Sequence, residues 1–333
     1  MNRTTRPAAP PALVFALLVV TVFFWGTAFR ATALGTEHAT PVTFSLLRAL
    51  PAGLALLALT AAMPNGRLPR GKPLWWASIS GLLMVTLTFE GIAEGTTLAG
   101  AGNAAVLVNT TPFFVLGFGR AFQSERVGRW GVVGLVTAFV GVVTMVSSQI
   151  TGDAGTGDVI LGMSIALLSG AGFAVGTLLV KATTARYPDT DLVGFTAVQH
   201  LVGGLALIPL AFSYGDVGGT DWGSSQLWLT VAWVAIGSSA ISSVSYFTTL
   251  RYIPATRASA WQFLAPVVAV LVEIGRGASP EGIVLAGMAL VIFGVAVVNR
   301  APVESASAVA VAAASAGAGA ATDVGPRRDR VQR

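Results

Sequence analysis

The residues of this chain that are best suited to chemistry are charged or polar side chains inside long apolar stretches. Arg48, Glu90, Glu94 and Asn109 each lie within such a stretch. An ionisable group at the depth of a lipid bilayer costs ~2.5–3.5 kcal/mol on insertion scales, so each one is a candidate for function. A guanidinium binds a carboxylate, and a carboxylate binds an amine or carries a proton. These residues therefore predict ligand binding and proton transfer.

The stretches that position these residues are long enough to cross a membrane. Hydrophobic residues make up 54% of the 333 residues and charged residues 11%, against a usual charged share near ~25%. A membrane-spanning helix needs about 20 apolar residues. The stretches are apolar on both faces, which predicts helices rather than the alternating strands of a barrel. Ten segments satisfy this requirement: 11–33, 41–63, 75–97, 100–121, 130–149, 157–181, 192–213, 225–249, 255–274 and 280–299.

The basic residues predict the orientation of these segments. If the segments alternate in direction, every Lys and Arg except Arg30, Arg48 and Arg276 falls on one side of the membrane. Positive charge marks the cytoplasmic side, so both termini are predicted to be cytoplasmic in a multi-pass protein of the cell membrane. The net charge of +5 then reflects topology, and no nucleic-acid partner is expected. The opposite connections carry acidic residues, namely Glu37, Asp153, Asp158, Asp216 and Asp221.

The chain also contains an internal repeat with a period of about 151–154 residues. Residues 42–57 align with residues 193–208, including a shared Leu-Ala-Leu block, and Pro112 aligns with Pro266. Because each copy holds five segments, an odd number, the second copy enters the membrane from the opposite side, as in many secondary transporters. The prediction is an all-α integral membrane protein with ten transmembrane helices in two inverted five-helix repeats. Its parts are a cytoplasmic N-terminus (1–10), the first repeat (11–150), the second repeat (155–299) and a disordered cytoplasmic tail (300–333).

Helix geometry places three of the polar residues at a similar depth. Arg48 lies seven residues into segment 2, about 10 Å deep at 1.5 Å per residue, and Glu90 and Asn109 lie at comparable depth in segments 3 and 4. One interpretation is a substrate site, and the other is a buried Arg48–Glu90 ion pair that holds helices together. Glu94 is one turn beyond Glu90 on the same face, so one of the two carboxylates is neutralised by Arg48 or protonated.

Further polar and aromatic residues are candidates for the lining of the same site. The place of Arg48 is taken in the second copy by Gln199, with His200 beside it, so the two halves differ in charge. Gln262 in segment 9 offers a donor and an acceptor, and Trp25 in segment 1 offers an aromatic wall. His200 and Trp25 are equally compatible with simple packing.

Two prolines are predicted to bend helices beside the site. Pro112 in segment 4 and Pro266 in segment 9 each remove a backbone hydrogen bond in mid-helix. The prediction is a kink in both segments that frees backbone carbonyls next to the cavity.

Several short motifs in a fixed order resemble a known family. Trp25-Gly26, Arg48, Pro112 and Glu125-Arg126, followed by the glycine-spaced segment 5, are similar to the EamA-type branch of the drug/metabolite transporter superfamily. The resemblance covers about residues 12–299 and implies a ten-helix exporter or permease for amino acids or other small metabolites. Members often carry a second glutamate after segment 9. Here that place is Ala278 or Ser279, with Glu273 and Glu281 on either side.

The predicted function is secondary transport, with efflux favoured, of amino acids or other small polar metabolites by alternating access. Its partners would be the substrate, the lipid bilayer and protons, with no cofactor and no metal, and both a monomer and a homodimer remain open. The alternatives are an intramembrane enzyme and a structural or sensor protein. An enzyme is disfavoured because the chain has no Cys and only two His, and because every Asp lies in a connection or the tail, whereas an aspartyl dyad requires two at one depth.

Overall fold

The computed structural model describes residues 10–123, 125–150, 157–301 and 303–304. These residues are almost entirely helical, as expected for a chain whose backbone must be hydrogen-bonded within each segment in lipid. Within the described part, nine helices are long and apolar enough to span a membrane, and a tenth, Arg129–Met145, is shorter. The ten helices are α1 (Pro11–Gly35), α2 (Pro41–Ala62), α3 (Lys72–Ala99), α4 (Gly102–Gln123), α5 (Arg129–Met145), α6 (Gly157–Arg186), α7 (Leu192–Ser213), α8 (Ser225–Thr249), α9 (Ala255–Gly275) and α10 (Gly282–Arg300).

The helices agree closely with the predicted segments, and the prediction of a ten-helix, all-α membrane protein is confirmed. The predicted parts 1–10 and 300–333 lie largely outside the described residues, as do residues 151–156 between the two halves. One short pair of strands occurs among the described residues. The strand β1 (Arg126–Val127), between α4 and α5, pairs antiparallel with β2 (Val303–Glu304), after α10.

Contacts between connections show that successive helices run in alternating directions. At one end, which we call the basic end, the backbone N–H of Arg67 after α2 donates to Asp191 before α7 at 3.0 Å. At the opposite, acidic end, the N–H of Asp221 before α8 donates to the carbonyl of His38 after α1 at 2.8 Å. The basic end therefore carries the connections that follow the even-numbered helices, and the acidic end carries those that follow the odd-numbered helices.

The contacts between helices repeat when each helix is exchanged with its counterpart in the other half. Helix α3 packs on α6 and α7, just as α8 packs on α1 and α2. The α4–α6 contact has its counterpart in α9–α1, and the α2–α7 and α5–α10 contacts each map onto themselves. This pattern is compatible with a two-fold relation between the halves.

Two pairs of matching helices are irregular at matching places. Helix α3 widens to a π-helix at Leu82–Leu87, and α8 does so at Trp233–Ile241. Helix α4 is interrupted at residues 109–110, and α9 tightens to a 3₁₀ turn at Trp261–Phe263. Irregular turns of this kind are common next to functional sites because they re-aim side chains. The interruptions lie just before Pro112 and Pro266, whose rings are incompatible with a regular helix.

The surface and the interior of the bundle have the polarity expected in lipid. Large apolar side chains point outward, including Phe212 at 70% and Phe293 at 62% exposure, and such a surface is rare on a water-soluble protein. Glycines allow close approach inside, as where a Cβ on Gly141 of α5 would lie 2.7 Å from the carbonyl oxygen of Gly287 in α10. Small residues at helix contacts are the usual packing solution in membranes.

Candidate functional site

Arg48 on α2 is held by neutral groups. Its Nε donates to the hydroxyl of Ser239 at 3.2 Å, and its Nη2 donates to the hydroxyl of Ser238 at 3.0 Å. Both serines belong to the π-helical turn of α8. The guanidinium carbon also lies 3.9 Å from the ring centroid of Phe89 on α3, at the distance of a cation–π contact. The positive charge is thus oriented by three helices.

Glu90 on α3 turns toward the acidic end of the bundle. Its Oε1 accepts a hydrogen bond of 2.5 Å from the phenol of Tyr214, the residue that follows α7. Its Oε2 is buried and has no hydrogen-bond partner among the described residues. Partial burial, the hydrogen bond to Glu90 and the charges of Glu90 and Glu94 raise the pKa of Tyr214. The phenol therefore stays protonated at neutral pH and remains a donor.

The alternative interpretation of a buried Arg48–Glu90 ion pair is not what the structure shows. Four ion pairs occur among the described residues, and none of them includes Arg48 or Glu90. Arg48 does contact Phe89, the neighbour of Glu90 in sequence. However, Glu90 lies on a different face of the helix from Phe89, because consecutive residues are about 100° apart around a helix axis with 3.6 residues per turn.

A second cluster forms around Tyr246 of α8, deeper in the bundle. The ring of Trp25 on α1 lies 5.2 Å from that of Tyr246 and 5.8 Å from that of Phe173 on α6. The amide Nε2 of Gln262 on α9 donates to the Tyr246 hydroxyl at 3.4 Å. Trp25 and Gln262 thus both contact Tyr246, one through its ring and the other through a hydrogen bond. Their common partner, Tyr246, is fully buried.

The remaining polar candidates bond mainly within their own helix. The Nδ2 of Asn109 donates to the carbonyl of Ala105 at 2.8 Å. The Nδ1 of His200 lies 3.0 Å from the carbonyl of Thr196, and the imidazole is 1% exposed. Among the hydrogen bonds and ion pairs of the described residues, none joins either side chain to Arg48 or Glu90. Gln199, which replaces Arg48 in the second half, donates to Ser80 at 3.2 Å.

Sequence reasoning missed the hydroxyl groups that contact these candidates. Ser238, Ser239 and Tyr246 all lie on α8, and Tyr214 lies just beyond α7. A signal was present, since residues 237–249 of α8 contain an unusual run of Ser, Thr and Tyr within an apolar segment. Hydroxyls are individually weak signals because they can bond to the preceding turn of their own helix.

Among the residues that the structure describes, no three His, Cys, Asp or Glu side chains lie close enough together to hold a metal ion. What the arrangement offers is one oriented cation, one carboxylate with an unpartnered oxygen, and hydroxyl and aromatic groups along α8. Groups of these types are able to donate and accept hydrogen bonds and, in the case of the carboxylate, to take up a proton.

Comparison with known proteins identifies the family. Residues 12–147 and 160–300 match the EamA-like transporter family. This chain belongs to that family. The resemblance inferred from the motifs is confirmed, and the protein is a multi-pass membrane transporter.

Similar proteins occur in bacteria and in an archaeon. The chain is 26% identical over 291 residues to the uncharacterized inner membrane transporter YedA of Escherichia coli K12, covering 86% of this chain and 90% of that protein. It is 24% identical over 295 residues to the uncharacterized transporter YvbV of Bacillus subtilis, covering 88% and 92%. An uncharacterized transporter of Archaeoglobus fulgidus is 27% identical over 291 residues, covering 85% and 98%.

A solved crystal structure supports the fold. It aligns with a TM-score of 0.74 at 18% sequence identity and covers 86% of this chain and 96% of the solved chain. At this identity the likeness concerns the fold alone.

Proposed function

We propose that this member of the family exports amino acids or other small polar metabolites by alternating access between two inverted five-helix halves. The proposal includes both termini in the cytoplasm. Arg48 binds the carboxylate of the substrate. Glu90, with Glu94 one turn away, binds its amino group or the coupling proton. Trp25, Gln262, Asn109 and His200 line the path.

The observation that carries this proposal is the set of partners around Arg48. A guanidinium at membrane depth is costly, and a purely structural one is expected to be paired with a carboxylate. Arg48 instead contacts two serine hydroxyls and a phenylalanine ring. These contacts orient the guanidinium, and none of the ion pairs of the described residues neutralises its charge. This arrangement favours a role in binding an anionic group of the substrate.

The surroundings of Glu90 support coupling to protons. One oxygen of the carboxylate accepts from Tyr214, while the other is buried without a partner among the described residues. A buried acceptor without a partner costs about 1–3 kcal/mol. A bound ammonium group would donate to this oxygen, and a bound proton would remove the negative charge. The carboxylate is therefore suited to alternate between a charged and a ligand-bound state.

The test is counterflow in proteoliposomes that contain the purified protein. Vesicles are loaded with one unlabelled amino acid or metabolite, and the entry of the labelled compound is followed across a panel of acids, amines and neutral solutes. We expect exchange of carboxylate-bearing compounds, strongly reduced by Arg48→Ala and Glu90→Gln. Arg129→Ala is the matched control, because Arg129 is exposed at the start of α5. Wild-type rates in both site variants would overturn the site, and no exchange of any compound would overturn the function.

A further inference from the structure

Glu125, just after α4, ties three helices together at the basic end. Its Oε1 lies 2.5 Å from Nζ of Lys181 on α6. The same carboxylate accepts the backbone N–H groups of Ala255 at 3.0 Å and Thr256 at 3.4 Å, the first residues of α9. The Glu125 side chain is only 11% exposed. A single carboxylate therefore joins α4 of the first half to α6 and α9 of the second.

The start of α9 depends on this contact. The preceding residue, Pro254, makes no side-chain capping bond, so the first N–H groups of the helix need another acceptor. A carboxylate at a helix N-terminus also interacts favourably with the helix dipole. Lys181 completes the link by donating to the carbonyl of Ile253 at 2.9 Å. Separation of α4 from α9 at this end breaks the hydrogen bonds that Ala255 and Thr256 donate to Glu125.

A matching pair exists at the acidic end. Nη1 of Arg30 on α1 lies 3.2 Å from Oε1 of Glu273 on α9. Arg30 lies four residues after Gly26 and Lys181 lies five residues after Gly176, so the two cations lie within one residue of matching places in α1 and α6. Glu273 lies one turn before Ala278, where the second glutamate of the resemblance was expected. Glu273 thus places a carboxylate near this end of the second half, within the helix and not after it.

Both pairs are in contact, but they differ in how far they are exposed. The Arg30 and Glu273 side chains are 38% and 42% exposed, against 20% and 11% for Lys181 and Glu125. Arg30 and Glu273 line a cavity of about 420 Å³ between α1, α9 and the start of α10. The start of α4, which corresponds to the start of α9, is approached by the backbone carbonyl of Gln149 instead. At the basic end the ion pair also holds the start of α9, whereas at the acidic end the Arg30–Glu273 pair joins α1 to α9 beside a cavity.

We propose that Glu125 and Lys181 form the gate that closes the basic end of the transport path, and that Arg30 and Glu273 form the matching gate at the acidic end. The gates open in turn, and in this structure both ion pairs are formed, with the Arg30–Glu273 pair the more exposed of the two. This inference rests on the proposed alternating access. It assigns gating to four charged residues that do not contact the Arg48 site.

The absence of Cys from the chain allows a single-cysteine test. Ala258 lies on the first turns of α9 and is fully buried, so Ala258→Cys reports opening of the basic end through its rate of alkylation by N-ethylmaleimide. Glu125→Gln removes the charge-assisted bonds and is expected to raise this rate by about 10- to 100-fold. Glu273→Gln weakens closure at the other end and is expected to lower the rate, by about twofold or more. Glu37→Gln, an exposed carboxylate at the acidic end, is the control and leaves the rate unchanged.

The opposite signs separate gating from loss of stability. A rise with both Glu125→Gln and Glu273→Gln, or no change with either, overturns the gate. Lys181→Met provides a second basic-end variant, and it is expected to raise the rate as Glu125→Gln does. The labelling assay needs no substrate. Opposite signs without any counterflow would therefore leave the gate standing and reject the transport proposal, whereas counterflow without opposite signs would reject the gate alone.

Discussion

Replacing Arg48 by glutamine tests the role of this cation most directly. The variant installs in the first half the residue type that Gln199 provides at the matching place in the second. A guanidinium has five N–H donors, and two of them are used by Ser238 and Ser239. Three donors remain for a substrate carboxylate, enough for a bidentate contact.

The expected size of the effect follows from this geometry. A hydrogen bond to a charged group contributes about 1.5–3 kcal/mol. The shorter glutamine side chain of the Arg48→Gln variant would retain one neutral donor, so the net loss is about one such bond. That corresponds to roughly a 10- to 150-fold loss of kcat/KM for a carboxylate substrate, at about 1.4 kcal/mol per tenfold change.

The assay is counterflow of a transported amino acid compared with the amine that lacks its carboxylate. The wild-type protein is expected to prefer the amino acid, and Arg48→Gln is expected to lose most of this preference while its rate for the amine changes little. Arg129→Gln is the control, and the unfolding temperature in detergent checks the fold. An Arg48→Gln variant that keeps both the wild-type KM and the preference for the acid would refute the reasoning.

Three further outcomes are expected. Glu90→Gln is expected to flatten the pH dependence of transport, because an amide does not take up the proton that a carboxylate does; a wild-type pH profile in that variant would contradict proton binding there. Trp25→Ala is expected to reduce the transport rate several-fold through loss of its ring contacts with the α6 and α8 aromatic residues, whereas Trp75→Ala, 70% exposed, leaves it unchanged in the same assay. Gly141→Ala is expected to lower the unfolding temperature, because its Cβ would lie 2.6 Å from a backbone nitrogen of α10 and overpacking costs about 1–3 kcal/mol; Gly117→Ala, with open space around the added Cβ, should not, and equal melting of the two variants would argue against tight α5–α10 packing.

The sequence by itself determined the ten helices and the position of each polar residue along its helix. Each segment satisfies its own backbone hydrogen bonds, so length and apolarity are sufficient to define a helix in lipid. The position of Arg48 seven residues into α2 fixed its distance from the acidic end. Motifs in order were also enough to indicate the family, which the comparison confirmed.

Only the tertiary structure decided which of these residues meet. Depth does not specify rotation about a helix axis or the neighbour of each face, since both depend on packing between distant segments. Arg48 therefore contacts Ser238, 190 positions away, while Glu90 turns to Tyr214. The same holds for Glu125, whose contact with the start of α9 joins residues 130 positions apart. Helix identity is a local property of the chain, whereas the partners of a buried charge are a property of the assembled bundle.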